Sequence, residues 1–199
     1  MLTHEYMPLS EEDYLRREAQ SPVRHEYVNG EMFAMTGGTL RHNMIALNIA
    51  SALRSHLRDS PCRVFMNDVR VRVEKTNAYY YPDLLASCVR GAQPLDLNAA
   101  TVHDPVLVME VLSASTEATD RREKLLAYRT LASLLEYVLI SQDEARVEIH
   151  RRKGDLGWEK IEYAGQETVE LTSVGLKIAM RDVYEGVPID SLMRGPGQS

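Results

Sequence analysis

The run Pro105-Val106-Leu107-Val108-Met109-Glu110-Val111-Leu112 constrains this chain more than any other segment. Every position but one is apolar. A short run of this kind is a strand buried on both faces, the sort found in the middle of a sheet covered by helices. Strand alternation puts Val106, Val108, Glu110 and Leu112 on one face and Leu107, Met109 and Val111 on the other. Glu110 is the exception to the pattern. A lone carboxylate in such a strand is costly unless it is paired, protonated or bound to a cation. It also lies near the end of the strand, where ligands collect in α/β sheets.

The flanking segments supply the layers. Ser10 followed by Glu11, Glu12 and Asp13 reads as a helix start that runs until Ser21-Pro22. Asn29-Gly30 between strand-like flanks predicts a tight hairpin. Residues 39–58 keep helical spacing through Ile45, Ile49, Ala52, Leu53 and Leu57. Val69, Val71 and Val73 alternate with Arg70, Arg72 and Glu74, and a further strand is expected over 79–87. A polar loop, 90–104, leads to the apolar strand. Ser113 to Thr116 is a turn, Asp120-x-x-Glu123 opens a helix to about Leu131, and 135–140 is another buried strand. Segments 145–151, 157–163 and 168–171 read as an antiparallel extension. The expected fold class is α/β, with an αβββαβ core, a mixed central sheet between helices, an N-terminal helix and hairpin, and a C-terminal antiparallel β extension. One domain is expected over 1–192, with a disordered tail at 193–199.

Composition narrows the function classes. The chain has 199 residues, 44% hydrophobic and 26% charged, as in ordinary globular proteins. A net charge of −6 argues against coating nucleic acid through bulk charge, while leaving room for a local site. The two cysteines, Cys62 and Cys88, fit no metal-ligand spacing, and no disulfide framework is expected, so a cytoplasmic location is the default. No signal peptide and no membrane span are read from the sequence.

Three charged residues carry the chemistry. Asp83 follows Pro82 at the end of the tyrosine run 79–81, in a place suited to an edge or bulge. If its strand neighbours the apolar one, Asp83 and Glu110 can share a divalent cation, and oxygen-only ligands suit Mg²⁺ or Mn²⁺. The competing reading gives Asp83 to a Pro-Asp turn and Glu110 to an arginine partner. Lys124 is either an ordinary helix lysine, solvated or paired with Glu123 or Asp120, or a cation that helps orient an attacking water and stabilises a pentavalent phosphate. His42 at the start of the long helix can ligate, relay a proton or simply cap. Glu26 and Glu31 flank the hairpin turn, where solvated charges are common, and Asp120 suits an N-cap.

Taken in order, these pieces resemble the Uma-two family of restriction-endonuclease-like proteins, within the PD-(D/E)XK nuclease superfamily. The resemblance runs from about Ser10 to Ile149. It is carried by Glu26-Tyr27-Val28-Asn29-Gly30-Glu31, His42, Asp68-Val69-Arg70-Val71 and Pro82-Asp83-Leu84. It continues through Glu110-Val111-Leu112-Ser113-Ala114-Ser115-Thr116, Asp120, Lys124, Tyr128 and Glu136-Tyr137. It implies that Asp83 and Glu110 are the metal-binding acids. The superfamily lysine usually stands two residues after the second acid, where this chain has Leu112. The resemblance implies that Lys124 takes its place from the next helix, with His42, Glu26, Glu31 and Asp120 in support. The implied function is a Mg²⁺-dependent endonuclease acting on nucleic acid, chiefly DNA, as a homodimer suited to cutting two strands. The alternatives are an inactive nuclease-fold module that binds DNA or a protein, and a hydrolase of some other phosphoester.

Overall fold

The computed structural model describes residues 8–89 and 95–189. The expected tail at 193–199 lies outside them. In chain order the strands are β1 (His25–Val28), β2 (Glu31–Ala34), β3 (Cys62–Met66), β4 (Arg70–Val73), β5 (Ala78–Tyr80), β6 (Leu84–Cys88), β7 (Thr101–Val102), β8 (Pro105–Leu112), β9 (Glu136–Ser141), β10 (Arg146–Arg152), β11 (Trp158–Ala164), β12 (Thr168–Leu171) and β13 (Leu176–Ala179). The helices are α1 (Glu11–Glu18), α2 (Leu40–His56), an irregular one over 117–128 and a short one, Met180–Val183, besides 3-10 turns at Glu74–Thr76 and Gly154–Leu156.

The apolar run is β8, buried along its whole length. It sits inside a mixed sheet of order β11-β10-β9-β8-β6-β3. Within this sheet, among the described residues, only β8 and β9 pair in parallel, and the 117–128 helix makes the crossover between them. Leu107, Met109 and Val111 pack with Ile45, Ile49 and Leu53 of α2 in one core. Val108 and Leu112 face a second core with Tyr80, Tyr128 and Tyr137. The fold is therefore the mixed α/β arrangement expected, with helices on both sides of the sheet.

A second sheet has order β2-β1-β5-β4-β7. Here the structure corrects the single strand expected over 79–87. The chain pairs with this second sheet through β5, breaks at Tyr81-Pro82-Asp83, and re-enters the first sheet as β6. Pro82 has no amide to give a ladder and restricts Tyr81, so neither sheet can run through it. Two further strands depart from expectation: β3 follows α2 where none was foreseen, and β7 lies within the loop expected at 90–104.

The expected hairpin forms, with Asn29 at φ 48° and Gly30 at φ 98°. A Cβ on Gly30 would collide with Pro8 as well as strain the turn. One hairpin face, with Tyr27, joins Tyr14 and Tyr79 in a small aromatic core under α1. The structure also pairs Cys62 with Cys88, which stand directly opposite each other on β3 and β6. This corrects the expectation of no disulfide and removes the premise from which a reducing compartment was read. Among the described residues no helix is long and apolar enough to cross a membrane.

The 117–128 helix is fixed from the sheet side. Tyr137 on β9 donates to the Asp120 carbonyl at 3.1 Å. Arg121 bonds Glu148 of β10 at 2.8 Å, and the His150 imidazole shares that carboxylate at 2.7 Å. Lys160 of β11 makes a third contact with Glu148, and Arg129 approaches the other ring nitrogen of His150 at 3.1 Å. Burial, then the charges of Arg129 and Lys160, hold the His150 pKa below its ordinary 6.5, although Glu148 pulls it the other way. The unfolded state then takes up the proton first. Stability is full at neutral pH and falls as pH drops below about 6.5 toward the lower folded value. Urea unfolding between about pH 7 and pH 5 is expected to show that slope, and His150→Gln is expected to flatten it.

Candidate active site

The break at Tyr81-Pro82-Asp83 and the end of β8 build the site together. The β6–β8 register sets Leu84 opposite Met109, so Asp83 reaches the level of Glu110. The Asp83 amide donates to Glu110 Oε2 at 3.2 Å, and Asp83 Oδ2 accepts from the Val111 amide at 2.7 Å. The two acids thus hold each other through backbone hydrogen bonds rather than by direct contact. Asn67, left-handed at φ 46°, donates its amide to the Asp83 carbonyl at 3.3 Å and pins the strand break from β3.

His42 comes from the first turn of α2. Thr39 caps that helix by accepting from the His42 amide at 3.1 Å. The imidazole Nε2 meets Asp83 Oδ1 at 2.9 Å. Gly38 makes room for it, since a Cβ there would lie 3.0 Å from the ring. The hydrogen bond to Asp83 raises the His42 pKa above 6.5 against the opposing effect of burial. His42 Nδ1 is buried without a hydrogen-bond partner.

Lys124 enters from the 117–128 helix, where Asp120–Lys124 forms a π-helical turn. Such wide turns re-aim side chains and recur at functional sites. The Lys124 amine lies 2.8 Å from Glu26 Oε1, 3.2 Å from Glu110 Oε1 and 3.2 Å from Asp120 Oδ1. The last approach lacks hydrogen-bond geometry, which leaves a buried Asp120 oxygen without a donor. Glu26 is fixed by the Tyr81 amide at 3.2 Å. Burial would lower the Lys124 pKa, but Glu110, Glu26 and Asp120 outweigh it and keep the amine charged. One ammonium cannot neutralise three carboxylates. Burial, reinforced by Asp120, Asp83 and Glu26, pushes the Glu110 pKa well above 4.5 despite Lys124.

The structure therefore brings Asp83, Glu110, Lys124, His42, Glu26 and Asp120 to one place. All but Glu26 line a cavity of 640 Å³, and Glu26 joins Lys124 in an adjoining cavity of 330 Å³. Glu31, opposite Val28 at the far end of the hairpin, lines neither. The sequence reading left the Glu26 contact open because it depends on hairpin register. It gave no role to Thr36 and gave Ser115 and Thr116 a place in a turn and in the family pattern but none in a site, yet all three line both cavities. The donor set is oxygen-only and short of positive charge, which suits a hard divalent cation. Among the described residues no cluster of three or more His, Cys, Asp or Glu is arranged to hold an ion. A cation here would depend on Asp83, Glu110 and water, and Mg²⁺ keeps several waters in such sites.

The profile described as "Putative restriction endonuclease", Uma2, matches residues 11–181. The chain belongs to the Uma2 family. Two similar proteins are both described as uncharacterized and come from Synechocystis sp. One is 32% identical over 180 residues, covering 90% of this chain and 93% of its own. The other is 33% identical over 172 residues, covering 85% and 95%. A crystal structure of a "putative nuclease belonging to DUF820" from Anabaena variabilis superposes with a TM-score of 0.74. It is 18% identical, with 91% of this chain and 100% of that one covered, and it bears on the fold alone.

In this Uma2 protein Glu110 is a buried carboxylate among other acids, with Lys124 as its cationic partner. Glu110→Gln removes a buried charge that Lys124 only partly offsets. The metal-free variant is expected to be more stable at neutral pH by on the order of 1 kcal/mol. Chemical denaturation in EDTA measures this, and a loss of stability would mean that the Lys124 contact outweighs the burial of the charge.

Proposed function

We propose that this Uma2 protein is a Mg²⁺- or Mn²⁺-dependent hydrolase of nucleic acid phosphodiester bonds, with DNA as its substrate. The observation that carries the reading is the convergence of Asp83, Glu110 and Lys124 on one cavity from three elements. The family description is consistent with it. Asp83 and Glu110 would hold the cation. When bound, a divalent ion supplies charge neutralisation at a phosphate and makes a water more acidic.

The chain's own groups have separate tasks. His42 and the Val111 amide fix the two oxygens of Asp83, and the Asp83 amide fixes one oxygen of Glu110. Lys124 holds the other Glu110 oxygen and carries a positive charge beside the acids, where it can stabilise negative charge growing on a phosphate. Glu26 and Asp120 keep the amine in place and charged. A twofold pair of chains would supply the two sites that a double-strand cut needs.

Cleavage of single- and double-stranded DNA and RNA with Mg²⁺ or Mn²⁺ tests the reading. Asp83→Asn, Glu110→Gln and Lys124→Met are each expected to lower the rate by roughly a hundredfold or more. Full activity in the two acid variants would place the reaction elsewhere. The second reading, a nuclease fold that only binds, is favoured by the way Lys124 and the Asp83 amide already occupy Glu110. It predicts salt-sensitive DNA binding with no turnover in any metal.

A further inference from the structure

Phe33 is out of place for an ordinary hairpin residue. It is 49% exposed, and among the described residues it is the only exposed aromatic side chain. In the β1–β2 register it stands directly opposite Glu26, the acid that touches Lys124. Strand alternation therefore gives Phe33 to the face that looks at the site, while Tyr27 and Met32 take the face that packs under α1. Phe33 lines the 330 Å³ cavity together with Val28, Ala34 and Met35 from the hairpin side, and Thr119 and Glu123 from the helix side. That volume falls within the range of roughly 300–1,000 Å³ for small-molecule pockets. This cavity shares Met35, Thr36, Ser115, Thr116, Asp120 and Lys124 with the larger one, so the two adjoin at the Lys124 amine.

We infer that the smaller cavity is a base-binding subsite, which takes the nucleobase of one unpaired nucleotide stacked on Phe33 while the adjoining phosphate lies at Asp83, Glu110 and Lys124. The inference rests on the hydrolase reading and specifies its substrate as a single-stranded or locally unpaired segment. Three features favour this occupant. The hairpin side offers the Phe33 ring with Val28, Ala34 and Met35, and polar groups from Glu26 on that side and from Ser115, Thr119 and Glu123 on the helix side can meet an edge, which together match the π-face and the hydrogen-bonding edge of a base. The acids Glu26, Asp120 and Glu123 around the cavity would repel a second phosphate, whereas a base is neutral. A paired base has its edge occupied and its faces stacked, so a base in a duplex must first be turned out of the stack to enter.

The test uses the full chain and a short fluorescein-labelled DNA strand, with Ca²⁺ in place of Mg²⁺ so that binding is read without turnover. Wild type is expected to bind the single strand more tightly than its duplex. Phe33→Ala and Phe33→Leu are each expected to weaken single-strand binding by roughly tenfold, while Phe33→Trp retains it. Leu keeps the apolar bulk of a half-exposed position, so its loss of binding reports the missing ring and not a failure to fold. A strand carrying 2-aminopurine should lose fluorescence on binding wild type and not on binding Phe33→Leu. Single-strand affinity unchanged in both Phe33→Ala and Phe33→Leu, or a wild-type preference for duplex, overturns the subsite. If wild type never cleaves yet its binding follows Phe33, the hydrolase reading fails and the subsite stands. If wild type and Phe33→Leu cleave intact and abasic strands equally in Mg²⁺, the subsite fails and the hydrolase reading stands.

Discussion

The Lys124 ammonium ties together three parts of the chain at one point. Glu26 comes from the hairpin, Glu110 from the central strand and Asp120 from the same helix as the lysine. Lys124 is only 5% exposed, so its charge is paid for by these carboxylates and by the Tyr80 ring, 5.7 Å from the amine. Removing one partner of a buried pair typically costs about 3–5 kcal/mol, because the other charge is left behind. Here the arithmetic is lopsided, since three acids share one ammonium and Asp83 lies beside them. The cluster holds the hairpin, sheet and helix in register while leaving Glu110 short of positive charge. A cation held there, as proposed, would relieve that shortage.

Glu110 was legible in the sequence because a charge inside an apolar strand has few acceptable surroundings. Asp83 was legible as a residue after proline at the end of a strand-like run, though Pro82 reads as an edge or bulge when it is in fact the crossing from one sheet to another. That crossing lets one segment contribute Tyr80 to the second core, the Tyr81 amide to Glu26 and the Asp83 amide to Glu110. Lys124 was not legible from local pattern. A lysine four residues after an aspartate looks like a surface helix pair, and the Asp120–Lys124 pair does exist, but buried and on a π-helical turn. Nothing in helical periodicity announces one inserted residue. Glu26 and Phe33 depend on hairpin register, which fixes their shared face only once β1 is known to lie on β5. The Cys62–Cys88 pair escaped for a related reason, because β3 had no strand signature and its register to β6 sets the two sulfurs together.

Small backbone decisions then shape the cavity around these charges. Asn67 adopts a left-handed conformation so that the chain leaving β3 can bond the Asp83 carbonyl. Gly38 leaves the space that the His42 ring fills, and Thr39 starts α2 at the point that brings the ring onto Asp83. In each case the residue acts through where it lets another side chain go. None of them carries the chemistry that a search for acids, bases and metal ligands would detect.

The distribution of arginine bears on how a net-acidic chain would meet the polyanion proposed as its substrate. Arg70 and Arg72 are engaged with Tyr81, Thr101 and Glu11, and Arg151 and Arg152 with Glu136 and backbone carbonyls. Arg121 is held by Glu117 and Glu148. These cations stabilise the fold and do not form a free basic face. At the cavity, Arg24 is already paired with the exposed Asp68, and Lys124 is surrounded by acids. Around the cavity, then, few unpaired cations are left to displace counterions along a phosphate track. Under the proposed function, affinity would draw instead on a cation held by Asp83 and Glu110 and on contacts that do not depend on charge. The exposed ring of Phe33, one cross-strand step from the acid that anchors Lys124, is where the fold offers such a contact.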